Sequence, residues 1–223
     1  MRATMRRMGV LLSAVAVRSD DADEVVDVFL SLLRGVGHRV QPVRGPHDDA
    51  GRYDVLCTAS SGWVTLAPHY VVPAEKLGAE LTRRLGTVAS AVGIYEDVFW
   101  THHLVDRGEV RDQYANLPGY FGPADYVHDH EGDPELVAAS VGVPHADVAP
   151  YFQQISVNRA RSRWRRPPRA HDSDEHHLLD GWVVLDLWRR FGITYPDGRA
   201  RSTIRVPLSD EANDALTEWL RGY

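Results

Sequence analysis

The chain has 223 residues, 43% of them hydrophobic and 25% charged, with a formal net charge of −6. These values place it with folded globular proteins able to bury a core without metal or disulfide support, and outside the disordered class. Cys57 is the single cysteine, which excludes an internal disulfide and points to a reducing, cytoplasmic compartment.

Arg2, Arg6 and Arg7 precede an apolar run over residues 8–17, and Ala14-Val15-Ala16 imitates a signal-peptide cleavage site. Gly9 and Ser13 interrupt that run, and it leads straight into a helix start. A first β-strand explains the same residues. No stretch approaches the ~20 apolar residues of a membrane span, so no membrane association is expected. Lys76 is the only lysine; the bias towards arginine fits coding in a GC-rich bacterial genome and carries no function.

Ser19 is placed to cap a helix whose first turn holds Asp20, Asp21, Asp23 and Glu24, complementing the positive end of the helix dipole. Val25, Val26, Phe29, Leu32 and Leu33 recur at helical spacing until Gly35 or Gly37. Residues 38–43 read as a short strand, and residues 53–58 and 63–67 as a hairpin around Ser60-Ser61-Gly62. Pro73 suits the first position of a second helix, with Leu77, Leu81 and Leu85 on one face and Gly86 ending it.

A three-stranded meander follows over residues 88–95, 98–105 and 110–114, turning at Glu96-Asp97 and at residues 106–109. In its middle strand, period two separates Val98, Trp100, His102 and Leu104 from Phe99, Thr101, His103 and Val105. Both sets are largely apolar, so the strand is expected to be central and covered on both sides.

Farther along, Asp133-Pro134 starts a short helix ending near Gly142, and Pro150 suggests another through Tyr151, Phe152 and Ile155. Asp180 is placed to cap a helix bearing Val184, Leu185, Trp188 and Phe191, and Ser209 caps a last one bearing Ala212, Ala215, Leu216, Trp219 and Leu220. The reading is an α+β fold: a mixed, mainly antiparallel sheet flanked by helices, with a helical C-terminal part. Its two stretches are residues 1–122, the sheet domain, and residues 123–223, packed on it or continuous with it.

Residues 86–121 carry the densest mixture of aromatic and ionisable side chains. His102, His103 and Asp112 are the candidates there for acid–base chemistry. The hairpin-end carboxylates sit where polar residues are expected in any case. Cys57 shares a strand face with Tyr53 and Val55 and reads as a core thiol. The chain has no GxSxG elbow, Walker loop, GxGxxG turn, HExxH or paired CxxC, so no cofactor is expected.

His128-Asp129-His130, with Asp133 close by, forms a weak candidate metal set. It departs from the HxHxDH signature of metallo-β-lactamase-fold hydrolases, with Gly132 and Asp133 in place of the Asp and His. Residues 159–169 hold six arginines, Arg163 and Arg165 among them, around Trp164. That cluster could meet phosphates and bases, but the overall negative charge and the lack of a fold motif make nucleic acid an unexpected partner.

Leu117-Pro118-Gly119-Tyr120-Phe121-Gly122 turns tightly and presents aromatics that either close the core or form a recognition surface. The leading expectation is a non-enzymatic bacterial protein that recognises another protein, immunity-like or regulatory, with Trp100, Tyr120, Phe121, Arg163, Trp164 and Arg165 as contact residues. The alternative is a hydrolase that gathers histidines and carboxylates from distant segments, possibly with a metal.

Overall fold

A strand of alternating small and branched apolar residues, β1 (Leu12–Arg18), opens the structure, a computed structural model that describes residues 10–45, 50–121, 130–155, 168–196 and 203–222. It is followed by α1 (Ala22–Gly35), whose N-cap is Asp21: the carboxylate accepts from the Asp23 and Glu24 amides. Ser19, the cap expected from sequence, instead accepts from the Asp21 N–H and sets up the turn. Acidic side chains are better acceptors for bare helix N–H groups than a hydroxyl two residues earlier.

β2 is only Val43–Arg44, far shorter than the strand expected over residues 38–43. β3 (Val55–Ser60) and β4 (Trp63–Ala67) form the expected hairpin, with Ser61 and Gly62 both at positive φ. Pro73 is the N-cap of α2 (Ala74–Leu85), and Gly86 closes it in the left-handed conformation. β5 (Val88–Tyr95), β6 (Phe99–Asp106) and β7 (Glu109–Ala115) make the meander.

Asp133 caps α3 (Pro134–Val141). The helix expected from Pro150 is instead the single turn α4 (His145–Val148) plus a 3-10 turn at Ala149–Tyr151, after which the chain extends. α5 (Val183–Phe191) starts without a side-chain cap; Asp180 accepts from the Trp182 amide rather than from the helix itself. β8 (Thr203–Val206) follows, and Ser209 caps α6 (Asp210–Arg221) as the sequence indicates.

All eight strands join one sheet in the order β2-β8-β3-β4-β1-β5-β6-β7, and every pairing is antiparallel. The fold is α+β. β8 lies between β2 and β3, so the C-terminal part contributes a strand to the sheet expected within residues 1–122.

Alternation along β1 sends Val15 and Val17 to a core shared with α1, α2 and α6, and Ala14 and Ala16 to a second core with α3, α4 and α5. The sheet is therefore a wall between two buried layers. β6 has a partner strand on each edge and a helical layer on each face, as its two apolar sides require.

Candidate functional site

Adjacent residues of β6 point to opposite layers, and this separates the two histidines. His102 shares the α5 side with Trp100 and Leu104 and is wholly buried. Burial drives its pKa down to about 3, with the His103 charge adding to the effect. His102 Nε2 lies 3.0 Å from Ser90 Oγ on the neighbouring strand, the spacing of a nucleophile and its base. Two features silence that pair. Ser90 is itself wholly buried, and the Trp188 indole N–H donates to its oxygen at 2.9 Å.

Indole N–H is donor-only, so Ser90 accepts from Trp188 and keeps its proton and a second lone pair for the contact with His102 Nε2. His102 Nδ1 has no hydrogen-bond partner among the described residues, so no carboxylate there completes the pair.

Asp112 lies diagonally across β7, where its backbone is opposite Leu104. One carboxylate oxygen accepts from the Asp133 amide at 2.7 Å, and the other is buried and unpartnered. Partial desolvation raises its pKa, opposed by that amide bond. Asp133 spends its own carboxylate on the amides of Glu135 and Leu136 at the head of α3. It is a helix cap. His130 is buried, and its carbonyl accepts from Gln154. Among the described residues no group of three or more His, Cys, Asp or Glu is placed to hold a metal. His128 lies outside the described residues.

His103 faces the α2 side and lines a cleft of about 150 Å³ with Ser13, Tyr70, Glu75 and Thr101. Burial lowers its pKa to about 4, with His130 adding to the effect, so it is neutral at pH 7. Gly93 keeps the wall low: a Cβ there would stand 3.2 Å from Thr101 Oγ1. His102, His103 and Asp112 thus do not meet. Cys57 is a buried core thiol whose pKa burial pushes up to about 12, far from thiolate chemistry.

The aromatic candidates divide differently. Trp100 is fully buried against Tyr114, with ring centroids 5.0 Å apart, so it is a packing residue and not the contact residue expected from sequence. Tyr120 and Phe121 belong to a surface cluster at the β5–β6 hairpin end. Phe99 stacks on Tyr120 at 5.7 Å, while Phe121 meets Phe99 edge-on at 5.0 Å and Tyr95 at 4.7 Å. Phe121 is 57% exposed and Tyr95 39%. Residues 163–165, with Arg163, Trp164 and Arg165, lie outside the described residues.

The hairpin tip is unusually constrained. Glu96 and Asp97 both adopt positive φ, a conformation that non-glycine residues take at a cost. Each is held by its side chain: Glu96 accepts from the Tyr120 hydroxyl at 2.6 Å, and Asp97 accepts from the Val10 amide at 2.9 Å. The Asp97 carbonyl also accepts from Gly181 N–H at 2.6 Å. The exposed rings therefore stand on a rigid base.

Sequence reasoning passed over Tyr95, Phe99 and Glu96 as site residues. The signal was partial: the hairpin places Tyr95 opposite Phe99 across the three residues Glu96, Asp97 and Val98, whereas the two-residue turn read from sequence sets Tyr95 opposite Val98. Ser90, Tyr70 and Glu75 had no comparable local signal, because their neighbours come from other strands or loops. No protein-family model, no curated protein and no solved structure matches the chain.

Proposed function

We propose that the chain is a non-enzymatic bacterial protein that recognises another protein, in an immunity-like or regulatory role, through the aromatic tip of the β5–β6 hairpin. The observation that carries this reading is the cluster of Tyr95, Phe99, Tyr120 and Phe121 around Glu96, with two of its rings open to solvent. Aromatic side chains on a pre-ordered base lose little entropy on binding and gain most when a partner desolvates them.

The partner is a surface bearing arginine or lysine. Ring faces beside a carboxylate attract cations, and the chain's net charge of −6 attracts the same sign. The test compares proteins captured from the native lysate by the wild type and by the Tyr95→Ala/Phe121→Ala double variant. A basic partner retained only by the wild type, and released as salt rises, is the expected result. Identical capture by both would remove the tip from the mechanism.

The cleft beside α2 favours a second reading, a hydrolase in which His103 and Glu75 face a small substrate. Turnover abolished by His103→Ala, with the aromatic tip irrelevant, would replace the first reading with this one.

A further inference from the structure

Four buried polar atoms that have no hydrogen-bond partner among the described residues lie on one face of two adjacent strands: Trp100 Nε1, His102 Nδ1, Tyr114 Oη and Asp112 Oδ2. On β6 and β7 the register sets His102 opposite Tyr114 and Leu104 opposite Asp112, with Trp100 two residues from His102. Phe152 covers the group, its ring 5.8 Å from His102 and 4.6 Å from Tyr114. Trp100, His102 and Tyr114 are each wholly buried, and Asp112 is half-buried at the margin.

Buried polar groups are nearly always satisfied, and the usual partner for those that protein atoms miss is internal water making about three hydrogen bonds. The chemical polarity of this set matches that role. Trp100 offers an N–H only, and Asp112 supplies a carboxylate acceptor. His102 Nδ1 and the Tyr114 hydroxyl serve in either sense. A donor at one end and a carboxylate at the other fit water, which accepts and donates in equal number.

We propose that ordered internal water occupies the β6–β7 face beneath Phe152, accepting from Trp100, donating to Asp112, and meeting His102 and Tyr114 between them. This differs from the recognition surface, since none of the four side chains belongs to the aromatic tip.

Two measurements on the full chain test it. Tyr114→Phe deletes only the hydroxyl; if that group is hydrated its loss lowers Tm by about 2–4 °C, the shift that one ordinary hydrogen bond gives in a protein of this size. An unchanged or raised Tm overturns the proposal, because removing a dry orphan relieves a penalty. In 15N-labelled wild type, the Trp100 indole N–H is expected to show a water cross-peak from a long-lived bound molecule. A protected indole N–H lacking that cross-peak overturns it, whatever Tyr114→Phe does.

Discussion

His102 and His103 carry the clearest physical consequence of single residues. Both have pKa values held below the ordinary 6.5, at about 3 and about 4, chiefly by burial. The unfolded chain therefore binds protons that the folded chain refuses in the window between those values and 6.5, and stability rises with pH there. Stability is full above pH 6.5 and is lost as pH falls, by up to ~1.4 kcal/mol per pH unit for each imidazole.

His102→Gln keeps a partner for Ser90 and removes one titration, so its denaturant-derived stability between pH 7 and pH 4.5 is expected to fall less steeply than that of the wild type. Parallel curves would show that His102 is not held neutral in the fold. The separation of His102 from His103 was legible in the sequence, because a strand alternates its side chains without exception. The depth of His102's burial was not: Phe152 and Phe191 reach it, and Trp188 reaches its partner Ser90, from segments at least fifty residues away.

Elements with local punctuation follow the sequence closely. α2 stops at Gly86, Asp133 and Ser209 cap α3 and α6, and the β3–β4 and β6–β7 hairpins turn where their residues indicate. Elements defined by distant partners do not. β8, Thr-Ile-Arg-Val, alternates polar and apolar residues but over only four positions, and the edges offered by β2 and β3 make it a strand. The helix expected after Pro150 is lost to a competing bond, the Ile155 amide donating to the Asn116 carbonyl at 2.8 Å and drawing the chain along the sheet end.

The β5–β6 hairpin joins both kinds. Its turn is local, but its rigidity depends on Gly181, where a Cβ would stand 2.6 Å from Ile94 Cγ2 and 3.1 Å from the Asp97 carbonyl oxygen. Gly181→Ala is expected to cost about 1–3 kcal/mol through overpacking, and to speed amide exchange in residues 95–99. Unaltered stability and exchange would mean that the tip does not lean on this loop.

Across the whole molecule, a division separates the two buried layers on the sheet's faces from the exposed aromatic tip of the β5–β6 hairpin. The sheet's helix-covered faces absorb His102, Cys57 and Trp100, while the exposed rings of Tyr95 and Phe121 stand at the end of the β5–β6 hairpin. Of the ionisable groups over residues 86–121, His102 is packed inside and His103 lines the cleft beside α2, while Glu96, Asp97, Asp106 and Glu109 stand at hairpin ends. No helix among the described residues is long and apolar enough to cross a membrane.

Hydroxyl-radical footprinting of the full chain, free and bound to the partner captured by the wild type, tests the division most directly. The account predicts strong protection of Tyr95 and Phe121 with Tyr70 and His103 unchanged. Protection of Tyr70 and His103, with Tyr95 and Phe121 still oxidised as in the free protein, would contradict it.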